Sequence, residues 1–432
     1  MKMPRLHSTI LLFLAFLSAR DVRADFKLRD GDTVVFLGDS ITAARQYGKI
    51  IENYTLLRFP ERKIQFINAG QGGETIKGSL KRLETDVFQR GATVLTVAYG
   101  INDIGWGVKA DEAHKQEYLS AIGELIDRCK ARNVRVFICS AAITAEAPDK
   151  AEVGFLQRMC DEGLAVASAK GAGTIDVQRE MRAIQKRIVE ANARQQEKAK
   201  HTRLHAEDGI HLNDLGQMAM AYSILKGLDA PSVVSTAVLD GTSASIIEQE
   251  GCRIQDLNQS AGVLTFTRLD HRLPMNLHSL WMLQGIYIPI GDQLNRQVLA
   301  VRGLPSGRYE VMADERPLGK WKSEDLNRGI NIASATEDPW QPGNTWAAQG
   351  YAVTSLTTMR DDLVHAMRGM ERDITASSAR DELLAKAVAI EKAIVELQRF
   401  TARPTPVRFQ VRKVSDDQSR SLPKGRSTEE QN

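Results

Sequence analysis

Four short blocks hold, in chain order, the residue types that acyl transfer to a serine hydroxyl requires. They are residues 38–42 (GDSIT), 70–73 (GQGG), 100–103 (GIND) and 208–211 (DGIH). A serine hydroxyl is a weak nucleophile at neutral pH, so it needs a base, a carboxylate that orients the base, and hydrogen-bond donors for the oxyanion. The residues that fit these roles, nucleophile first, are Ser40, His211, Asp208, and Gly73 together with Asn102. The set therefore predicts ester hydrolysis.

Each of the first three blocks follows a strand-like apolar segment, at residues 33–37, 63–68 and 93–99. Open α/β sheets place their ligands at the carboxyl ends of the strands, so we expect the three blocks to meet at one sheet edge. The nucleophile elbow of α/β-hydrolases requires Gly-x-Ser-x-Gly, and Thr42 occupies the last position here. That fold therefore loses support.

The last block has two structural alternatives. Taken alone, Asp208 is typical of a helix cap before a helix that begins near Asn213, with His211 as an ordinary loop residue. His201, His205 and His211 also invite a metal site, but no cysteine lies near them and Asp208 already pairs with His211. We therefore predict neither a metal nor a cofactor.

Together, the four blocks resemble those of the SGNH hydrolases, also called the GDSL family of esterases and lipases, over roughly residues 30–229. The resemblance implies that Ser40 is the nucleophile, His211 the base and Asp208 the residue that orients it. It also implies an oxyanion hole made of the Ser40 and Gly73 amides and the Asn102 side chain. Gly70 and Gly72 remain alternatives to Gly73 as the donor.

The implied fold is a flavodoxin-like three-layer α/β/α domain with a parallel sheet. The chain agrees with this, because strand-like segments at 134–139 and 173–177 alternate with amphipathic patterns at 47–58, 80–89, 112–131 and 152–169. A charged stretch at 179–200 departs from the family pattern. We interpret it as a solvated helix in preference to a lid.

The first 24 residues predict export. Lys2 and Arg5 precede the apolar run 10–17, which is too short to span a bilayer, and Val22-Arg23-Ala24 ends in a small residue suited to cleavage. No cysteine lies near that point to suggest a lipid anchor, and no later stretch has transmembrane length. The sequence therefore predicts a signal peptide at 1–24 and a periplasmic or extracellular mature chain.

Composition restricts the partners. A net charge of +3 in 432 residues, without a basic stripe, argues against a nucleic-acid partner. The four cysteines lack metal-ligand spacing, and we favour buried free thiols over disulfides. The oligomeric state is left open.

We divide the mature chain into a catalytic domain at 25–230, a β-rich accessory domain at 231–335 and a helical region with a terminal strand at 336–413. The β-rich part resembles a small sandwich, and the helical part an antiparallel hairpin with apolar residues Leu363, Met367, Met370, Leu383, Ala387, Ile390, Ile394 and Leu397. We interpret Trp340 and Trp346 as residues that fill an interface between domains, in preference to residues that stack on sugar rings. Residues 414–432 read as a disordered tail.

The predicted function is that of an exported, metal-independent serine esterase. The substrate class inferred by analogy is a small O-acyl ester, acetyl first of all, possibly on a carbohydrate. Two alternatives stay open: a lipase or thioesterase, and a non-catalytic carbohydrate-binding or scaffold protein with a relic hydrolase domain.

Overall fold

The computed structural model describes residues 26–277, 286–337 and 344–415. The predicted signal peptide, Trp340 and the predicted tail beyond Ser415 lie outside these ranges.

The first half of the chain forms a parallel five-stranded sheet in the order β2-β1-β3-β4-β5. The strands are β1 (Thr33–Gly38), β2 (Gln65–Gly70), β3 (Val94–Ala98), β4 (Arg135–Cys139) and β5 (Gly173–Ile175). β1 and β3 are apolar and buried on both faces because helices cover the sheet on each side. The doubly wound parallel fold predicted from the sequence is confirmed.

Eight α-helices connect or follow these strands. They are α1 (Ser40–Ala43), α2 (Gln46–Arg58), α3 (Ile76–Ser79), α4 (Glu112–Lys130), α5 (Pro148–Glu152), α6 (Phe155–Ala169), α7 (Val177–Ala193) and α8 (Asp214–Gly227). The amphipathic pattern at 80–89 predicted one α-helix, and this prediction is wrong. The segment forms a 3-10 helix (Leu80–Arg82) followed by a short π-helix (Glu84–Phe88). The charged stretch from 179 lies mostly in α7, which buries Met181, Ile184 and Ile188 against the core. It is an amphipathic helix of the helical layer.

The second half begins with two sheets that share one core. The first sheet has the order β13-β10-β6-β7, and the second has the order β12-β11-β14-β9-β8. The strands are β6 (Val233–Asp240), β7 (Ser245–Glu250), β8 (Cys252–Ser260), β9 (Val263–Asp270), β10 (Arg296–Arg302), β11 (Arg308–Ala313), β12 (Arg316–Lys322), β13 (Ile330–Asn331) and β14 (Val407–Val414). Two short helices, α9 (Ile290–Gln293) and α10 (Ser323–Arg328), connect them. Leu299 of one sheet and Phe266 and Val311 of the other belong to one buried cluster. The pairing is antiparallel except between β6 and β10, which are parallel.

Two long antiparallel helices, α11 (Thr345–Asp373) and α12 (Ser378–Thr401), precede β14. The two sheets of the second half, called the sandwich below, hold the hairpin at its base, through the start of α11 and through β14 after α12. Trp346, in the first turn of α11, is buried and stacks on Phe409 of β14 at 5.9 Å. β14 itself lies in the middle of the second sheet, between β11 and β9.

The apolar stripe predicted for α12 is only partly buried. Ala387 is buried, but Leu383, Ile390 and Leu397 each expose about half of their surface. The helical spacing was identified correctly, whereas its burial depends on which face meets α11. Among the described residues, no helix has the length and apolar character that a bilayer span requires. Cys129, Cys139, Cys160 and Cys252 are buried free thiols.

The hairpin packs along α2 and the edge strand β2. Carbonyl groups of Phe66 and Asn68 point to the open side of β2, where they accept hydrogen bonds from Arg360 and Arg368 of α11. A free strand edge is a site of unwanted pairing, and the two arginines occupy this one. α11 therefore completes the hydrolase domain.

A buried polar network fastens this contact. Arg360 Nη2 lies 2.6 Å from Glu52 Oε2 of α2, and the two side chains are only 10% and 7% exposed. Gln398 of α12 donates to Glu52 Oε1 at 3.2 Å and to the Thr357 hydroxyl at 2.8 Å. Burial raises the pKa of Glu52, while the Arg360 charge opposes that shift. The ion pair therefore depends on both partners being present.

We expect Arg360→Met to lower the free energy of unfolding by roughly 3 kcal/mol, because it leaves a buried carboxylate without its partner. The loss should shrink on acidification toward about pH 5, since a carboxyl whose folded-state pKa is raised binds a proton more readily in the folded protein. Urea unfolding at pH 5 and pH 8 measures both effects.

Arg372→Met is the matched control, because Arg372 lies on the same helix, is exposed and forms an ion pair with its neighbour Asp373. The double variant Glu52→Gln with Arg360→Met should regain part of the lost stability. Equal losses for Arg360→Met and Arg372→Met would contradict the importance of the pair.

Candidate active site

Close backbone packing positions Ser40. A Cβ atom on Gly38 would lie 2.8 Å from the Ala98 carbonyl oxygen of β3, and one on Gly70 would lie 2.2 Å from the Ala43 nitrogen of α1. Neither contact is possible for a larger residue, and a Cβ atom on Gly38 would also clash with the Thr42 side chain of α1. The two glycines therefore let α1 lie against the ends of β1 and β2. Ser40 is the first residue of α1, directly after β1. Asn68 strengthens this packing, because its Nδ2 donates to the Thr42 carbonyl at 2.7 Å.

The loop that carries His211 is fixed by its own backbone. Asp208 Oδ1 accepts the amides of Ile210 and His211, both at 2.9 Å. Gly209 has φ 69°, and its carbonyl accepts the Ala145 amide at 2.8 Å, which ties the loop to the segment after β4. The helix that follows is capped by Asn213, not by Asp208. The capping alternative for Asp208 is therefore wrong.

The structure brings together the three residues predicted as the catalytic set. His211 Nε2 lies 2.9 Å from Ser40 Oγ, and His211 Nδ1 lies 2.5 Å from Asp208 Oδ2. With the proton on Nδ1, the imidazole donates to Asp208 and presents a lone pair to the Ser40 hydroxyl. This arrangement can accept a proton from Ser40 when the hydroxyl attacks an acyl carbon.

The predicted backbone oxyanion donors differ in whether an acceptor within the described residues already occupies them. Gly73 has φ 72°, at the third position of a turn closed by the Glu74 amide on the Gln71 carbonyl at 3.3 Å. The amides of Ser40, Gly72 and Gly73 have no hydrogen-bond acceptor among the described residues. The Gly70 amide, by contrast, donates to Asn68 Oδ1 at 3.0 Å. Gly70 is thereby excluded as a free donor, while Gly72 remains an alternative to Gly73.

Trp106 holds the Asn102 side chain in one orientation. The indole Nε1 donates to Asn102 Oδ1 at 2.9 Å, and Asn102 Nδ2 donates one hydrogen to the Glu74 carbonyl at 3.1 Å. The second Nδ2 hydrogen is then available to another acceptor. The Trp106 ring also meets the His211 ring edge-on at 5.7 Å. Its backbone has φ 58°, a conformation that costs energy for a bulky residue.

The carboxylates near the site have opposite electrostatic environments. The hydrogen bond from His211 and two backbone amides lower the pKa of Asp208 to about 2, so this carboxylate stays ionised over the working pH range. Burial raises the pKa of Asp39, which precedes the serine, to about 6. Burial likewise raises the pKa of Asp103, which accepts the Ile76 amide, to about 7. Of these three carboxylates, Asp208 is the one that accepts a hydrogen bond from the His211 ring.

The three histidines considered for metal binding have separate partners. His205 is buried, and its Nε2 lies 3.0 Å from the Ile143 carbonyl oxygen. His201 Nε2 lies 3.0 Å from the Gln195 carbonyl oxygen. His211 contacts Ser40 and Asp208, as described above. Within the described ranges, no group of three ligating side chains lies close enough to hold a metal ion.

Two parts of the site were not identified from the sequence. One is Trp106, whose link to Asn102 spans only four residues but follows no recurring pattern. The other is Glu74, a buried carboxylate that pairs with Arg82 at 2.5 Å and accepts the Tyr99 hydroxyl at 2.6 Å. Glu74 stiffens the loop that carries Gly73. Its position directly after the glycine block was the only available signal.

Comparison with known proteins supplies the class. Residues 36–219 match the model of the GDSL-like Lipase/Acylhydrolase family, in agreement with the resemblance of the four sequence blocks. The domain is accordingly an ester-bond hydrolase. The sequence has no significant match among curated proteins.

Among solved structures, a gut microbial diltiazem-metabolizing enzyme shares the fold over 90% of this chain and 98% of its own, with a TM-score of 0.74 and 22% identity. The structure called LAE5, an alpha/beta hydrolase enzyme from the metagenome of Lake Arreo, is 21% identical, with a TM-score of 0.38 over 47% of this chain and 98% of its own. The acetylxylan esterase Axe2 from Geobacillus stearothermophilus is 18% identical, with a TM-score of 0.38 over 47% of this chain and 96% of its own. The first of these shows that the sandwich and hairpin belong to the shared fold.

Proposed function

We propose that the chain is an exported serine esterase that hydrolyses small O-acyl esters, acetyl first of all, on carbohydrates. The observation that carries the proposal is that His211 contacts both Ser40 Oγ and Asp208 at hydrogen-bond distance. These contacts are the ones that nucleophilic catalysis by serine requires.

In the proposed first step, Ser40 Oγ attacks the acyl carbon and its proton passes to His211 Nε2. The imidazolium that forms is stabilised by ionised Asp208. The tetrahedral intermediate then collapses, and His211 returns the proton to the departing alcohol. In the second step a water molecule attacks the acyl-serine, again with His211 as base, and the acid leaves as Ser40 regains its proton.

The negative charge on the acyl oxygen is assigned to the free amides of Ser40 and Gly73 and to the second Nδ2 hydrogen of Asn102. Donors that are held in place before the reaction lower the barrier most, because they need no reorganisation. Trp106 and the Glu74 carbonyl supply that constraint on Asn102. Trp106 is therefore a positioning residue in this proposal.

The solvent exposure of the proposed catalytic side chains supports a preference for a small acyl group and a large alcohol. The side chains of Asp208 and His211 are 38% and 37% exposed, and half of Trp106 faces solvent beside them. A long acyl chain gains affinity only by burial, at about 0.8 kcal/mol for each methylene. An open site with an exposed indole is better suited to a hydrophilic ring that stacks on the tryptophan. Export is proposed from the sequence pattern of residues 1–24.

We expect Ser40→Ala to lower kcat/KM for p-nitrophenyl acetate by at least about a thousandfold, because the nucleophile is removed. A fluorophosphonate probe should label the wild type and not this variant. Ser243→Ala, which removes an exposed serine hydroxyl of the sandwich, should keep both properties. Substantial turnover in a folded Ser40→Ala protein would exclude Ser40 as the nucleophile.

For Trp106→Phe we expect kcat to fall about tenfold with little change in KM, because the ring against His211 is kept while the N–H to Asn102 is lost. Asn102→Ala should cost about a hundredfold or more in kcat. Because both changes act on one donor, Trp106→Phe should have little further effect in the Asn102→Ala background.

Val108→Ala is the control for Trp106→Phe, since Val108 lies two residues away and is 90% exposed. Independent, additive losses in the Trp106→Phe and Asn102→Ala cycle would show that Trp106 does not act through Asn102.

A series of p-nitrophenyl esters from acetyl to palmitoyl tests the acyl preference. We expect kcat/KM to be highest for acetyl and to fall as the chain lengthens, because the open site offers little apolar surface to additional methylenes. Ser40→Ala gives the background rate for each ester. A maximum at long chains would favour a lipase, and no turnover of any ester would favour the non-catalytic alternative.

A further inference from the structure

A cavity of about 920 Å³ lies beside the proposed active site, between α11 and the carboxyl end of β2. Gln71, two residues before Gly73, lines it on the hydrolase side, and Arg368 lines it on the hairpin side. Six guanidinium groups line the cavity, those of Arg45, Arg82, Arg90, Arg360, Arg368 and Arg372.

Most of these guanidiniums have a carboxylate partner. The pairs are Arg45 with Asp361 at 2.7 Å, Arg82 with Glu74 at 2.5 Å, Arg360 with Glu52 at 2.6 Å and Arg372 with Asp373 at 2.6 Å. Arg368 differs, since in the described part of the chain it forms no ion pair and donates only to the Asn68 carbonyl. Arg90 has one distant partner, Glu371, at 3.8 Å.

Arg368 and Arg90 also act on each other. Burial lowers the pKa of Arg368, and the charge of Arg90 lowers it further. An arginine presents five N–H donors, and Arg368 uses Nη1 on one main-chain oxygen within the described residues, which leaves its other donors available. Three carboxylates also line the cavity and oppose the shift of the Arg368 pKa, but Asp86 is paired with Arg82, Asp361 with Arg45, and Glu371 lies 3.8 Å from Arg90. Arg368 and Arg90 are thus the guanidiniums of this cavity without a close carboxylate partner among the described residues. Such a pair is well suited to an oxyanion, which arginine can bind in bidentate fashion.

Asn68 links the cavity to the helix that carries the nucleophile. Asn68 accepts the Arg368 hydrogen bond on its carbonyl, while its side chain donates to the Thr42 carbonyl, two residues after Ser40. A group bound by Arg368 therefore lies against the same strand end that supports α1. Ala43 and Gln71, which line the cavity, lie three residues from Ser40 and two from Gly73 along the chain, so the cavity borders the segments that carry both.

We infer that the cavity is a subsite for an acidic group of the substrate, a carboxylate or a sulfate, bound by Arg368 and Arg90. The inference rests on the proposed esterase function and narrows its substrate class to O-acylated acidic carbohydrates. Arg45, Arg82 and Arg360 have structural roles in this arrangement, since each is already neutralised.

The test compares kcat/KM for three O-acetylated sugars of the same ring size: one neutral, one with a carboxylate and one with a sulfate. We expect the wild type to prefer an acidic ester over the neutral one by about tenfold or more, since hydrogen bonds between ionised groups are stronger than those between neutral groups. The ratio of the two rates is the readout, because it cancels any general effect of a variant on the catalytic groups. A preference for the carboxylate or for the sulfate identifies the anion.

Arg368→Gln and Arg90→Gln should each reduce this ratio by about tenfold, and Arg368→Lys should keep part of it. Arg372→Gln is the control, since Arg372 borders the cavity but is paired with Asp373. High salt should also reduce the wild-type ratio, because the interaction is electrostatic. Unlike Arg368, Arg90 has no hydrogen bond to β2 among the described residues, so Arg90→Gln separates the effect on binding from any loosening of the hairpin.

An unchanged ratio in both Gln variants, or no preference in the wild type, would overturn the subsite. Failure of the esterase proposal is seen separately, as absent turnover of the neutral acetyl ester and absent labelling of Ser40. In that case, calorimetry with the unacylated carboxylated and sulfated sugars still tests whether Arg368 belongs to an anion site. Binding by the wild type that is lost in Arg368→Gln supports the anion site, and no binding refutes it.

Discussion

The position of the catalytic serine depends on how closely α1 approaches the strand ends. Gly38 and Gly70 leave no room for a side chain between α1 and the strands β1 and β2. Because α1 has only four residues, its own hydrogen bonds cannot hold it, and the neighbouring strands must do so. Asn68 adds a side-chain bond to the Thr42 carbonyl. The nucleophile therefore sits on the rigid sheet although it begins a short helical turn.

The histidine is held by a different device, a loop that satisfies its own backbone. Asp208 uses one oxygen for two loop amides and the other for the imidazole, so one carboxylate fixes both the loop and the ring. Those bonds also keep the pKa of Asp208 low, at about 2, although the side chain is partly exposed. Asp39 and Asp103 are nearer the sheet and have raised pKa values, because burial outweighs their backbone hydrogen bonds. Proximity to Ser40 alone does not make a carboxylate suitable to support the base.

The sequence was most informative where local pattern decides structure. Buried strands such as β1 and β3 are continuous apolar runs, so both were found to within one or two residues. The blocks that carry Ser40 and His211 were found because each is a short run of consecutive residues. Arg368 was not, since its contact with Asn68 joins positions 300 residues apart and no local pattern encodes it. The exposure of Leu383 could not be predicted for the same reason, because periodicity identifies a helical face but not what covers that face.

The C-terminal hairpin links these observations. Its ends are held by the sandwich through Trp346 and β14, while its middle covers the edge of β2 and pairs Arg360 with Glu52. A separate accessory module would need no buried ion pair with α2, because burying two charges is costly unless their geometry is good. The presence of that pair indicates that the hairpin and the hydrolase domain form one folded unit. The cavity lined by Arg368 is then a feature of the assembled chain, which neither the catalytic domain nor the hairpin can form alone.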